Sequence, residues 1–273
     1  MGKRIEGKCK LCGQVKPLTF EHVPPESAFN SLPVREIPFE ESIKLMTGED
    51  GRLPWDMEGL KGKLNQRGGG GYFLCSDCNS NTGSWYISEY VRLVRTLHEV
   101  ISNLNPNTND RCYFEVEKLH PLQIFKAIMT MFCDINNGCF GDESLREFLL
   151  NKESNVFNKE KYSVYLYLTK GPMVRINSLA AICRSDVGIV IQSEISRYPV
   201  GAVLYIDKPK ALTPLGLDIT QFADCKYSDE CNVSFYGIPL LEINTQFPDD
   251  YRSKDEIVKG IELSQKEKTL EEN

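Results

Sequence analysis

No stretch of this 273-residue sequence is long and apolar enough to span a bilayer. Its opening residues, Met1-Gly2-Lys3-Arg4-Ile5-Glu6, lack the apolar run of a secretory signal. A cytoplasmic protein without a membrane partner is the expectation. A surplus of positive charge is also missing: 32 Lys and Arg stand against 38 Asp and Glu, for a net charge of −6. That balance argues against a chain that coats nucleic acid by charge alone. The deficit is uneven, because residues 1–103 carry 13 basic and 13 acidic side chains and residues 104–273 carry 19 and 25. A nucleic-acid enzyme in the neutral half would need a local basic patch or a partner that brings the substrate, and the acidic half points to a protein partner. Histidine is scarce, with three in the whole chain.

Cysteine is plentiful, with ten. Without a secretory signal disulfides are disfavoured, and four of the ten fall into two Cys-x-x-Cys pairs, Cys9/Cys12 and Cys75/Cys78. The spacing predicts one structural Zn2+ held by all four, a closed tetrahedron with no open position for substrate. Cys112, Cys133, Cys139, Cys183, Cys225 and Cys231 show no ligand spacing and are expected as buried or free thiols.

Between the two pairs lies Leu18-Thr19-Phe20-Glu21-His22-Val23-Pro24-Pro25. An apolar run that ends in a carboxylate and an imidazole, stopped at once by two prolines, predicts a short strand that delivers both groups to its end. After the second pair, Asn79 follows Cys78 directly and a helix is expected a few residues later. One metal-stapled scaffold would then bring Glu21, His22 and Asn79 together.

The order Cys-x-x-Cys, strand ending Glu-His-x-x-Pro, strand into Cys-x-x-Cys-Asn, then helix resembles the zinc-containing branch of the HNH nucleases, which share a ββα-metal fold. The resemblance covers roughly the first hundred residues. It implies that His22 is the general base, and that Glu21 and Asn79 hold one catalytic divalent cation. Such oxygen ligands favour Mg2+ or Mn2+, which would stabilise charge on the phosphate and the departing oxygen. It also implies hydrolysis of DNA phosphodiesters to 5′-phosphate and 3′-hydroxyl ends, in a setting such as bacterial restriction or phage defence. Two departures stand out. Many family members have Asp where this chain has Glu21, and the family's middle asparagine falls near Gly70, with Asn65 or Asn81 as the residues that could replace it.

Residues 26–71 are rich in turn formers and predict loops with a short element or two. At their end, Lys61, Lys63 and Arg67 precede Gly68-Gly69-Gly70-Gly71. These residues read either as a phosphate-contacting flap, with the three cations as nucleic-acid contacts, or as a flexible linker. Tyr72-Phe73-Leu74 predicts the second strand, and the apolar spacing from Trp85 to Ile101 an amphipathic helix. His98 in that helix is expected to pack or face solvent, and His120 to cap or face solvent. Helices are expected over 122–135 and 142–150. Strands are expected over 162–168, 174–183, 187–195, 202–206 and 232–236, and an exposed helix or disorder from Tyr251.

The whole predicts an α+β protein. A zinc-stapled ββα-metal (HNH) module with helices spans 1–103, a helical packing segment 104–152, a mainly antiparallel β domain 153–250, and a charged tail 251–273. Two other functions fit the same residues: a non-catalytic zinc-stabilised interaction module, and a nuclease directed at RNA through the same site.

Overall fold

The computed structural model describes residues 5–48, 51–56, 58–104 and 111–271. In chain order its first half contains β1 (Glu6–Lys8), β2 (Val15–His22), β3 (Val34–Glu36), α1 (Phe39–Thr47), β4 (Lys63–Asn65), β5 (Gly70–Cys75), α2 (Ser76–Thr82), a π turn (Gly83–Ile87) and α3 (Ser88–Ser102). Strands β1, β2 and β5 form an antiparallel sheet in that order, with Glu21 opposite Gly71 and His22 opposite Gly70. A register shift between Thr19 and Phe20 places one extra residue, Phe73, in β5.

The glycine run is therefore strand and strand entry. A side chain at Gly70 would put its Cβ 2.1 Å from the Glu21 carbonyl oxygen, and at Gly68, where φ is +84°, 2.2 Å from the Asn30 carbonyl oxygen. Close backbone approach, more than mobility, is what these glycines provide. Just upstream, β3 and β4 pair antiparallel across α1 and give the long insertion its own two-stranded sheet.

The helix at the second cysteine pair starts inside it, at Ser76 with Cys75 as N-cap, earlier than the apolar spacing predicts. Its sequence, Ser-Asp-Cys-Asn-Ser-Asn-Thr, is poor in helix formers, and that is why the spacing misses it. Burial of Cys78 and Thr82, with Thr82 Oγ1 donating to the Cys78 carbonyl at 2.9 Å, holds the turn.

The second half contains β6 (Arg111–Leu119), α4 (Pro121–Ile135), α5 (Glu143–Leu150), β7 (Tyr162–Lys170), β8 (Arg175–Arg184), β9 (Gly188–Arg197), β10 (Val200–Ile206), β11 (Leu217–Asp218), a 3-10 turn (Thr220–Asp224), β12 (Cys231–Glu242) and α6 (Lys254–Glu271). Its large sheet runs β6-β12-β7-β10-β9-β8, with β11 added on β7. All these neighbours are antiparallel except β12 and β7. The fold is α+β, with a four-cysteine cluster in the N-terminal part and a mainly antiparallel sheet in the C-terminal part.

Strands β7 and β10 read as nearly unbroken apolar runs because both their faces are covered. Leu166, Leu168 and Leu204 join the helices in one core that also takes in Cys9, Leu11, Val23 and Leu74. On the other face, Tyr165, Tyr167, Val203 and Tyr205 pack with Leu212 and Ile243. Helix α4 is buried on almost every side and passes between the cysteine-bearing sheet and the large one, so the N-terminal site rests on a rigid floor. The charged tail is helical as α6, anchored by buried Ile257. No described helix is long and apolar enough to cross a membrane.

Candidate functional site

The four sulfur ligands lie together. The Sγ atoms of Cys9, Cys12, Cys75 and Cys78 are all within 4.8 Å of one another, and Cys12 and Cys75 are 3.9 Å apart. A zinc tetrahedron with bonds of about 2.3 Å has edges of about 3.8 Å, so the cluster fits such an ion with little movement. The Cys9 turn closes through Gly13, whose N–H donates to the Cys9 carbonyl and whose φ is +72°. Cys75 N–H donates to Cys9 Sγ at 3.4 Å. A hydrogen bond from Cys78, with backbone donors at Cys75, Cys12 and Leu11, brings the Cys9 thiol down to about 4 against burial that pushes it up. The Cys78 thiol is pushed up by the same contact, and burial raises Cys12. Donors around a thiolate suit a structural metal such as Zn2+.

Strand β2 brings the polar residues in by alternation. Thr19 and Glu21 share the face that meets α2, while Phe20 and His22 share the other, their rings 5.1 Å apart edge to face. Asn79 Nδ2 donates to Thr19 Oγ1 at 2.9 Å, and Thr19 donates in turn to the Leu74 carbonyl at 2.9 Å, so α2, β2 and β5 are linked through one amide. Burial pushes the Glu21 carboxyl up to about 7, and the Asn79 amide beside it pulls the other way. An acid kept from full ionisation by burial would gain from a hard cation at its side, for which the Asn79 amide would have to turn its oxygen in place of the N–H it gives.

The imidazole of His22 is held from the opposite side. Its Nε2 lies 2.8 Å from the Arg67 carbonyl oxygen, which only accepts, so Nε2 carries the hydrogen and the neutral ring has its lone pair on Nδ1. The turn presenting that carbonyl is shaped by Asn65, whose Oδ1 accepts from Arg67 N–H at 3.3 Å. The Arg67 guanidinium lies 5.9 Å over the Phe20 ring. Lys61 and Lys63 are exposed, beside and on β4. Of the three cationic residues singled out in the sequence, Arg67 is the one whose backbone carbonyl meets the imidazole, while its guanidinium lies over Phe20.

Three residues were not flagged by the sequence. Thr19 steers Asn79, and its signal was its place two residues before Glu21 on one strand face. Asn30 is fully buried: its Nδ2 donates to the Pro24 and Gly69 carbonyls and its Oδ1 accepts from Gly69 N–H, which locks the chain after His22 to the chain after Arg67. Asp134, near the end of α4, is buried with Oδ1 unpartnered, and burial together with the Glu21 and Cys9 charges pushes its carboxyl well up. An apolar helix pattern gave no reason to single it out. His98 packs, donating to or accepting from the Tyr198 hydroxyl at 2.8 Å, and His120 Nδ1 lies 2.9 Å from the Asp229 carbonyl oxygen. Comparison with family models, with curated proteins and with solved structures gives no match to this chain, and its chemistry is read from these residues alone.

Proposed function

We propose that the protein is a metal-dependent endonuclease of the HNH type, with a ββα-metal module, acting on DNA phosphodiesters. The observation that carries this reading is the fixed imidazole: a backbone carbonyl holds His22 Nε2–H and leaves Nδ1 as the basic nitrogen, one residue beyond Glu21 and on the other face of β2 from the Glu21–Asn79 contact. In this role His22 takes a proton from water, and Glu21 with the Asn79 side-chain oxygen, once that amide is turned, would hold Mg2+ or Mn2+, which would supply positive charge for the phosphate and the departing 3′-oxygen. The Arg67 carbonyl performs the orienting task given to the family's middle asparagine, and Asn65 supports it one step removed. Zinc at the four cysteines stays outside the reaction and fixes the distance between β2 and α2.

Arg67, Lys61 and Lys63 are the cations available for phosphate contact, and the acidic residues 104–273 suit a protein partner that helps bring DNA. Phage defence or restriction is the setting that goes with this chemistry. The test is nicking of supercoiled plasmid with Mg2+ or Mn2+. The wild-type chain should nick it, and His22→Ala should lower the rate by about 100-fold or more, the usual scale for loss of a general base, with an unchanged thermal midpoint. Equal rates for the two proteins would remove His22 from the mechanism.

A further inference from the structure

A second concave site lies away from Glu21 and His22, where the insertion meets the edge of the large sheet. It is a cavity of about 790 Å3, within the usual range for small-molecule sites, with mostly apolar and aromatic walls that include Phe29, Trp55, Met173, Val174 and Tyr198. Arg197, at the end of β9, also lines it. Arg197 is 7% exposed, and among the described residues no carboxylate pairs with it. Its Nε donates to the Phe29 carbonyl at 2.7 Å, and its buried Nη1 has no partner.

A buried cation without a counter-charge is costly, and the cost falls when an anion enters. Two other cations line the cavity: Lys254 Nζ is 3.0 Å from Glu242 and 5.5 Å from the Trp55 ring centre, and Arg35 Nη1 donates to the Leu60 carbonyl at 3.2 Å. We propose that this cavity binds a small aromatic anion, its acid group on Arg197 and its ring against the apolar walls formed by Trp55, Tyr198 and Met173. The chain's net negative charge does not favour indiscriminate anion binding, so selectivity here rests on the buried guanidinium of Arg197.

The site is also connected to the imidazole. The Phe29 carbonyl that receives Arg197 Nε precedes Asn30, and Asn30 grips Pro24 and Gly69. Those residues sit two positions beyond His22 and Arg67, so an occupant of the cavity touches the same hydrogen-bonded chain that sets the His22 ring.

The experiment titrates the full chain with 8-anilinonaphthalene-1-sulfonate and with its uncharged counterpart, N-phenyl-1-naphthylamine, following fluorescence. The sulfonate should bind saturably at a single site. Arg197→Met should weaken it at least tenfold without weakening the neutral probe, and Met173→Trp, which fills the cavity, should weaken both. Benzoate or phenyl phosphate should displace the sulfonate where benzyl alcohol at the same concentration does not, and the stronger of the two competitors identifies a carboxylate or a phosphate as the preferred head group. Unchanged sulfonate affinity in Met173→Trp, or equal losses of both probes in Arg197→Met, would overturn the proposal. Should Arg197→Met fail to fold, Met173→Trp and the competition decide it, and displacement by benzyl alcohol counts against it. None of these readouts depends on cleavage, so they stand apart from the outcome at His22.

Discussion

Glu21 is held by burial with its carboxyl near 7, well above the ordinary carboxylate value of 4.5, and Asp134 lies under the same sheet with its own carboxyl pushed up in part by the Glu21 charge. Two acids close enough for one to feel the other's charge favour a proton on one of them or a cation beside them. The sign of the pH effect follows. Between about 4.5 and about 7 the folded chain keeps a proton on Glu21 that the unfolded chain has released, so stability falls as pH rises through that window. Asp134 contributes in the same direction, and comparison with Glu21→Gln isolates the Glu21 share. In chelator, the thermal midpoint of Glu21→Gln should exceed that of the wild type at pH 8 by more than at pH 5, and added Mg2+ should raise the wild type alone. Parallel pH profiles for the two chains would show that Glu21 ionises freely. Glu21 and His22 were legible in the sequence because two prolines end their strand and leave them at its tip. Thr19 and Asp134 were not. A threonine in an apolar strand and an aspartate in an apolar helix reveal a role only when the third dimension brings Asn79 or Glu21 beside them.

At the scale of elements, the cysteine pairs were the clearest signal, since their equal spacing at positions 9/12 and 75/78 needs a common ion to make sense and the four sulfurs do converge. Helix α2 was hidden because its own residues disfavour helix and its order comes from the cysteine cluster and the Asn79 link. The strands of the second half were found nearly in place, because alternation and apolar runs are local. Their order in the sheet was not, since the parallel pairing of β12 with β7 depends on chain far apart in sequence. The dependence of α2 on the cluster predicts that Cys78→Ser loses zinc by metal analysis. The thermal midpoint should fall with it, and a loss of about 3 kcal/mol would move it by roughly 6–12 °C. Amide exchange should quicken first in α2 and β5, and the β7–β10 ladder should keep its protection. Quickening everywhere at once would mean that the cluster supports the whole core.

Across the whole molecule, the central strands β7 and β10 of the large sheet are buried on both faces, and the far face contains an ion pair with no access to water. Arg175 and Glu194 are both fully buried, with Nη1 3.1 and 3.0 Å from the two carboxylate oxygens. The hydroxyls of Tyr167 and Tyr251 complete the carboxylate at 2.5 and 3.1 Å, and the guanidinium also donates to the Thr245 and Asp250 carbonyls. Strands β7, β8 and β9 are thereby tied to the 244–251 strap that leads into α6. The pair itself need not add net stability, because desolvating two charges offsets much of their attraction. Breaking one side is different. Arg175→Met leaves Glu194 charged, buried and deprived of its cation, and should cost about 3–5 kcal/mol in denaturant unfolding. Arg175→Met combined with Glu194→Gln removes the stranded charge and should recover a large part of that loss, although the strap still lacks its guanidinium. Equal losses in the single and double variants would instead assign the effect to the bonds from Arg175 to Thr245 and Asp250, with the carboxylate contributing little.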